Sequence, residues 1–234
     1  MINNPNNPTG VAIPQTVLEE IVHLARSRGI TVLADEVYSP LFHSLPEAQD
    51  PPTSILSLGY EKTIATGSMS KAYALAGIRI GWIASRDPRV LERVLATRDY
   101  TSISVSQIDD QIASYALSDA VLPSLMQRNM ALVRTNLGYV RAFVEKYSSV
   151  CSWVRPTSGT TTLLCFQKQG RCVDDEAFAI DLLEKTKVLV VPAASCFGAG
   201  KDFQGSVRIG YGCETAVLVA ALSRLSEFVE QQLV

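Results

Sequence analysis

A lysine set among hydroxyls and followed by an arginine is the part of the chain richest in potential chemistry: Ser68-Met69-Ser70-Lys71, with Arg79 beyond it in the run that ends at Trp82. A primary amine condenses with an aldehyde, and hydroxyls beside a guanidinium hydrogen-bond a phosphate. Together these groups could hold a phosphorylated aldehyde through a Schiff base. The competing reading is a solvated lysine in a serine-containing turn.

Two further clusters place polar groups in a suggestive order. Asp35-Glu36-Val37-Tyr38 follows an apolar run, so a carboxylate closes a buried strand and a phenol comes three residues later. In open α/β sheets, ligands sit in the crevice at the carboxyl ends of strands. A helix N-cap aspartate beside an amphipathic tyrosine is the alternative. Asn4-Pro5-Asn6-Asn7-Pro8-Thr9-Gly10 is strong turn punctuation and says little more alone.

These groups need elements to carry them. Leu18, Ile21, Val22 and Ala25 recur at helical spacing between Pro14 and Gly29. Ile30 to Ala34 is a short apolar run ending at Asp35, and Thr63 to Thr66 and Ile78 to Ala84 are two more strand candidates. Such alternation predicts a layered α/β sheet. From Gln107 to Ser148 the pattern is helical, with a break near Asp119 to Pro123. Strand patterns follow at Thr161-Leu163-Cys165, Val188 to Val191 and Val207 to Tyr211, then a helix with Leu218, Ala221, Leu222, Leu225 and Val229 on one face. A second, smaller α+β domain fits this half.

In order and spacing, Asn7-Pro8-Thr9-Gly10, Asp35-Glu36-Val37-Tyr38 and Ser68-x-Ser70-Lys71 with Arg79 resemble the fold-type I, class I/II aminotransferases. The resemblance continues through Pro192-Ala193-Ala194-Ser195-Cys196-Phe197-Gly198 and Val207-Arg208-Ile209-Gly210-Tyr211. It implies an α/β three-layer sandwich of the PLP-dependent transferase type with a smaller α+β C-terminal domain. Residues 1–106 would be the C-terminal portion of the large PLP-binding domain, 107–148 connecting long helices, and 149–234 the small domain.

The implied cofactor is pyridoxal 5'-phosphate (PLP), with Lys71 as its covalent link and as the acid/base group at the substrate Cα. Asp35 would pair with the pyridine nitrogen, Asn7 and Tyr38 with the ring 3-oxygen, and Ser68, Ser70 and Arg79 with the phosphate. Arg208, with Asn7, would bind the substrate carboxylate; as an isolated residue, Arg208 reads equally as a surface arginine on an edge strand. The partners implied are an amino acid, a 2-oxo acid and a second copy of the chain in a homodimer. Transamination is the implied reaction. A lyase, decarboxylase or cyclase reaction of the same lysine, and a non-catalytic binding subunit, are the alternatives.

Two departures stand out. The family usually has Pro-Gly where this chain has Pro192-Ala193. Its members also carry a long stretch before the Asn-Pro-Thr-Gly turn, with a phosphate-binding helix N-terminus and an aromatic residue that stacks on the pyridine ring. The expectation is therefore an N-terminally truncated chain that exposes sheet edges and apolar surface.

Composition excludes other classes. Among 234 residues, 47% are hydrophobic and 19% charged, so the chain buries a core and is not disordered. A net charge of −2 without a basic run gives no basis for a nucleic-acid or membrane partner. Cys151, Cys165, Cys172, Cys196 and Cys213 contain no CxxC pair, which predicts reduced thiols, no structural metal and a cytoplasmic location. The apolar run Val188 to Ala194 is too short for a bilayer, and no secretory signal is expected before the polar Asn3 and Asn4.

Overall fold

The computed structural model describes residues 1–47 and 49–234, and the chain divides into two compact units. The first comprises Met1–Asn6, Val11–Met130 and Thr157–Gly159. Its sheet contains β1 (Ile2–Asn3), β2 (Val32–Asp35), β3 (Thr63–Ser68) and β4 (Gly81–Ser85), in that order. The first three strands run parallel, and β4 pairs antiparallel with β3.

Helix α1 (Gln15–Arg28) stops at Gly29, whose φ of 66° suits a residue without Cβ and whose N–H reaches Ala25 O and Arg26 O. Leu18, Val22 and Ala25 on its inner face pack with Val32, Ala34 and Ala65 of the sheet and with Ile55 and Tyr60. Burying each large aliphatic side chain contributes about 1.5–3 kcal/mol before entropy is counted. This contact fixes β2 and β3, and with them the strand ends that carry Asp35 and Ser68.

One boundary differs from the sequence reading. The strand expected from Ile78 to Ala84, β4, starts at Gly81 rather than Ile78, because Ala76–Ile78 forms a 3-10 turn ended by Arg79 at φ 56°. Leu75, Ile78 and Ile80 pack against Met69, Ala113 and Ala116 instead of extending the ladder. Helices α2 (Pro88–Arg98), α3 (Gln107–Ala116) and α4 (Leu122–Lys146) follow, with Pro123 in the first turn of α4, where its missing N–H is tolerated. On this side much apolar surface stays exposed: Trp82 and Ile83 on the edge strand β4, Leu95 on α2, Ile108 and Tyr115 on α3. The expected uncovered sheet edge is present.

The second unit comprises Asn7–Gly10, Ala131–Pro156 and Thr160–Val234. Its strands are β5 (Cys151–Trp153), β6 (Thr161–Lys168), β7 (Arg171–Cys172), β8 (Val191–Pro192) and β9 (Ser206–Gly210), ordered β5-β6-β9-β8 with β7 joined to β6, all antiparallel. Helices α5 (Asp175–Thr186), α6 (Ala193–Phe197) and α7 (Thr215–Gln232) complete it. Phe166 stacks on Phe178 at 4.6 Å, and Phe178 meets Phe228 edge-on at 5.3 Å. Around these rings Leu182, Leu225, Val207 and Val229 are fully buried.

The strand expected from Val188 to Val191 shrinks to Val191–Pro192. Lys187 takes φ 62°, Thr186 Oγ1 accepts from Val188 N, and Leu189 is left exposed. Among the described residues, no helix is long and apolar enough to cross a membrane.

Candidate active site

In the first unit, Asp35 is the last residue of β2 and Ser68 the last of β3, so both stand at the same end of two parallel strands. Four hydrogen bonds fix Asp35. Its carbonyl accepts from Asn4 N at 2.9 Å and Asn3 Nδ2 at 3.0 Å, and its Oδ1 accepts from Thr66 Oγ1 at 3.1 Å and Val37 N at 3.3 Å. All side-chain bonds fall on Oδ1. Among the described residues, Oδ2 has no partner, so one carboxylate oxygen is held in a set direction with its lone pairs uncommitted.

Lys71 lies in the connection between β3 and β4, which Met69 N closes by donating to Ile80 O at 3.0 Å. Ser68 Oγ donates to Ile80 O and accepts from Ser70 N at 3.0 Å, so both serines belong to one turn. Met69 and Ala72 are wholly buried on either side of Ser70 and the exposed Lys71, which anchors the backbone while the ammonium projects outward. Among the described residues, that ammonium has neither hydrogen-bond nor ion-pair partner. Arg79, exposed, leaves the same loop just before β4 and spends one N–H on Ala76 O at 3.0 Å. Among the described residues, the remaining guanidinium donors are uncommitted, and no bond joins Arg79 to Ser68 or Ser70.

Tyr38 is buried in the turn after β2, its ring against Gly159, where a Cβ would lie 3.6 Å from the ring. Glu36 beside it is turned elsewhere: its Oε1 accepts from Ile55 N at 2.8 Å, and burial raises its carboxyl above the ordinary value.

In the second unit, Arg208 occupies the middle of β9, paired with Leu163 on one side and Val191 on the other. It is therefore not on an edge strand. Its guanidinium lies 5.1 Å from the centre of the Phe197 ring and donates to Asn7 Oδ1 at 3.1 Å. A cation stacked on an aromatic face and steered by an amide keeps its planar fork oriented for a carboxylate. Pro192-Ala193 opens α6, where buried Asp175 accepts from Ala194 N at 2.9 Å and holds the loop without the family's glycine.

These are the groups that a phosphorylated pyridine aldehyde requires: an unpaired amine, a directed carboxylate and a guanidinium with spare donors. Residues 1–225 match the family model described as aminotransferase class I and II. The chain belongs to the class I and II aminotransferase family. A solved PLP-dependent aminotransferase from Streptococcus suis is 36% identical and superposes with a TM-score of 0.85, covering 98% of this chain and 56% of that one. Aspartate aminotransferase of Thermotoga maritima is 29% identical over 235 residues, which is 99% of this chain and 56% of the relative. Capreomycidine synthase of Streptomyces vinaceus is 27% identical over 227 residues, or 97% of this chain and 54% of the relative. The chain thus spans about half the length of the curated relatives it matches. The fold is the one expected, an α/β three-layer sandwich of the PLP-dependent transferase type, in part, with a smaller α+β domain.

Three supporting residues of this family member escaped the sequence reading. Thr66 orients Asp35. Trp82 covers the glycine before Ser68, since a Cβ on Gly67 would collide with its indole. Asn129, buried on α4, donates to Ala72 O at 2.9 Å and so holds the residue next to Lys71. Its signal was available: a polar residue in line with Leu125 and Val133 on the apolar stripe of a helix is buried only with a partner.

Proposed function

We propose that this chain is part of a PLP-dependent aminotransferase that moves an amino group between an amino acid and a 2-oxo acid. One observation carries the reading: the partnerless Lys71 ammonium lies just beyond the end of β3, beside the strand whose terminal Asp35 keeps Oδ2 free. When bound, the cofactor supplies an aldehyde and an electron-withdrawing ring that stabilises negative charge at the substrate Cα.

Lys71 Nζ would hold the cofactor's aldehyde and, as a free amine, would serve as the acid and base for the proton at the substrate Cα. Asp35 Oδ2 would hold the ring nitrogen, and its negative charge would keep that nitrogen protonated. Ser68, Ser70 and the spare donors of Arg79 bind the phosphate dianion, and Tyr38 donates to the ring 3-oxygen. Asn7 is assigned to the ring 3-oxygen and to substrate, and Arg208 to the substrate carboxylate by a bidentate pair. In this reading residues 1–106 belong to the large domain, 107–148 connect, and 149–234 form the small one. The resemblance supports a homodimer; the reduced thiols support a cytoplasmic site.

Likeness to capreomycidine synthase favours a second reading, a cyclase or other PLP reaction that uses the same lysine. A binding subunit without turnover is the third reading. Titration with PLP separates them: a new visible absorbance band that borohydride abolishes, absent in Lys71→Ala, supports cofactor binding. Amino-acid-dependent loss of that band with release of the matching oxo acid then supports transamination. No band at any PLP concentration supports the subunit reading.

A further inference from the structure

Outside the site, two thiols of the second unit stand together. On β6 the even-numbered residues Thr162, Leu164 and Phe166 face the core, whereas Cys165 and Gln167 are on the outer face. The β6–β7 register pairs Gln167 with Cys172, which sets Cys172 diagonally beside Cys165 on that same face. Cys172 is exposed, and Cys165 is half-buried with its thiol 3.9 Å from Gln204 O. Gly205 makes room: a Cβ there would lie 2.8 Å from the Cβ of Cys172.

We propose that Cys165 and Cys172 are an oxidation site that a peroxide converts into an intramolecular disulfide. The exposed Cys172 thiolate attacks one peroxide oxygen. Its S–O bond forms as the O–O bond breaks, and the other oxygen leaves as water or an alcohol once protonated. Cys165 sulfur then attacks Cys172 sulfur, forming the S–S bond and expelling the hydroxyl, which leaves as water with the Cys165 proton. The two thiols lose two electrons, and one peroxide gains them.

The order of events follows from burial. Burial raises the Cys165 thiol above its ordinary value, with Cys172 nearby adding to the shift, so Cys165 is the slower first nucleophile and the resolving one. Cys151 is excluded because it pairs with Phe166 on the core side, and burial pushes its thiol up to about 12. Diagonal neighbours stand about 7–8 Å apart at Cα, whereas a disulfide needs less than about 7 Å, so β7 must shift slightly towards β6. Both residues of β7 are exposed and follow a two-residue turn at Gln169 and Gly170 with φ 52° and 75°, so little packing resists that movement.

The full chain is treated with hydrogen peroxide, its remaining thiols are alkylated, and intact mass and peptide maps are recorded. The expected result is loss of two hydrogens, with one thiol-reversible link joining the Cys165 and Cys172 peptides. Cys165→Ser should instead leave a dimedone-reactive sulfenic acid on Cys172 and no link. Both cysteines alkylated after peroxide, or a link through Cys196 or Cys213, would overturn the assignment. Because no cofactor takes part, neither outcome depends on the proposed transamination.

Discussion

Phe166 in the second unit and Trp82 in the first are both large aromatics on sheet strands, yet Phe166 is wholly buried and Trp82 is 41% exposed. The difference follows from what each strand meets. β6 lies inside its sheet and faces the ring stack of Phe178 and Phe228, whereas β4 is an edge strand beside α2, a helix with no buried residue. The structure that supports Lys71 is accordingly one-sided: α1 secures β2 and β3, and beyond them only the small Met69 cluster holds the lysine loop. Stability and chemistry draw on different residues.

Substitutions can break or sharpen that contrast. Phe166→Ala removes the central ring of the closed core and should lower the unfolding free energy by about 3–5 kcal/mol. A shift in urea midpoint corresponding to less than about 1 kcal/mol would erase the distinction. Leu18→Ala, on the supported side of the first unit, should cost about 3 kcal/mol by the same measurement. Asn129→Ala leaves Ala72 O without its donor and should cost about 1–3 kcal/mol. Its distinguishing readout is faster amide exchange at Ala74 and Leu75, with the α1 amides unchanged.

Glu36→Gln has a smaller effect whose sign depends on pH. Burial holds the Glu36 pKa above its ordinary 4.5, so the folded chain binds this proton more tightly than the unfolded one. Its ionised form therefore opposes folding, and stability from this group falls as pH rises through 4.5 and above. The glutamine variant should be the more stable at neutral pH and match the parent in acid, as read by thermal melts at the two conditions. Leu95→Glu, on the uncovered side, should change stability by less than about 0.5 kcal/mol. Its visible effect should be higher solubility in light scattering, since apolar surface is replaced by charge.

What the sequence made legible was whatever has a local cause. Pro14 and Gly29 bracket α1 because both act on their own backbone, and Asp35 was readable as a strand end because the apolar run before it stops there. Lys71 and its serines could be placed for the same reason. Helix α5 carried a usable signal in Asp174, whose carboxylate caps Glu176 N and Ala177 N, but Ile180 and Leu183 are exposed while Phe178 and Leu182 are buried, so its apolar residues form no single stripe. Strands β1, β7 and β8 have two residues each, too short for any periodicity. Least legible were bonds between distant segments: Thr66 on Asp35 spans 31 positions, and Asn129 on Ala72 spans 57. No local pattern announces which carbonyl a buried amide will find.

The central claim is that one particular amine among the chain's lysines is built to carry an aldehyde. Borohydride reduction of the full chain with PLP, followed by peptide sequencing, reads this directly. A single pyridoxyl group on Lys71, with Lys62 and Lys201 unmodified, is the predicted result. Label spread across surface lysines, or a label that avoids Lys71 while the fold is intact, would contradict it.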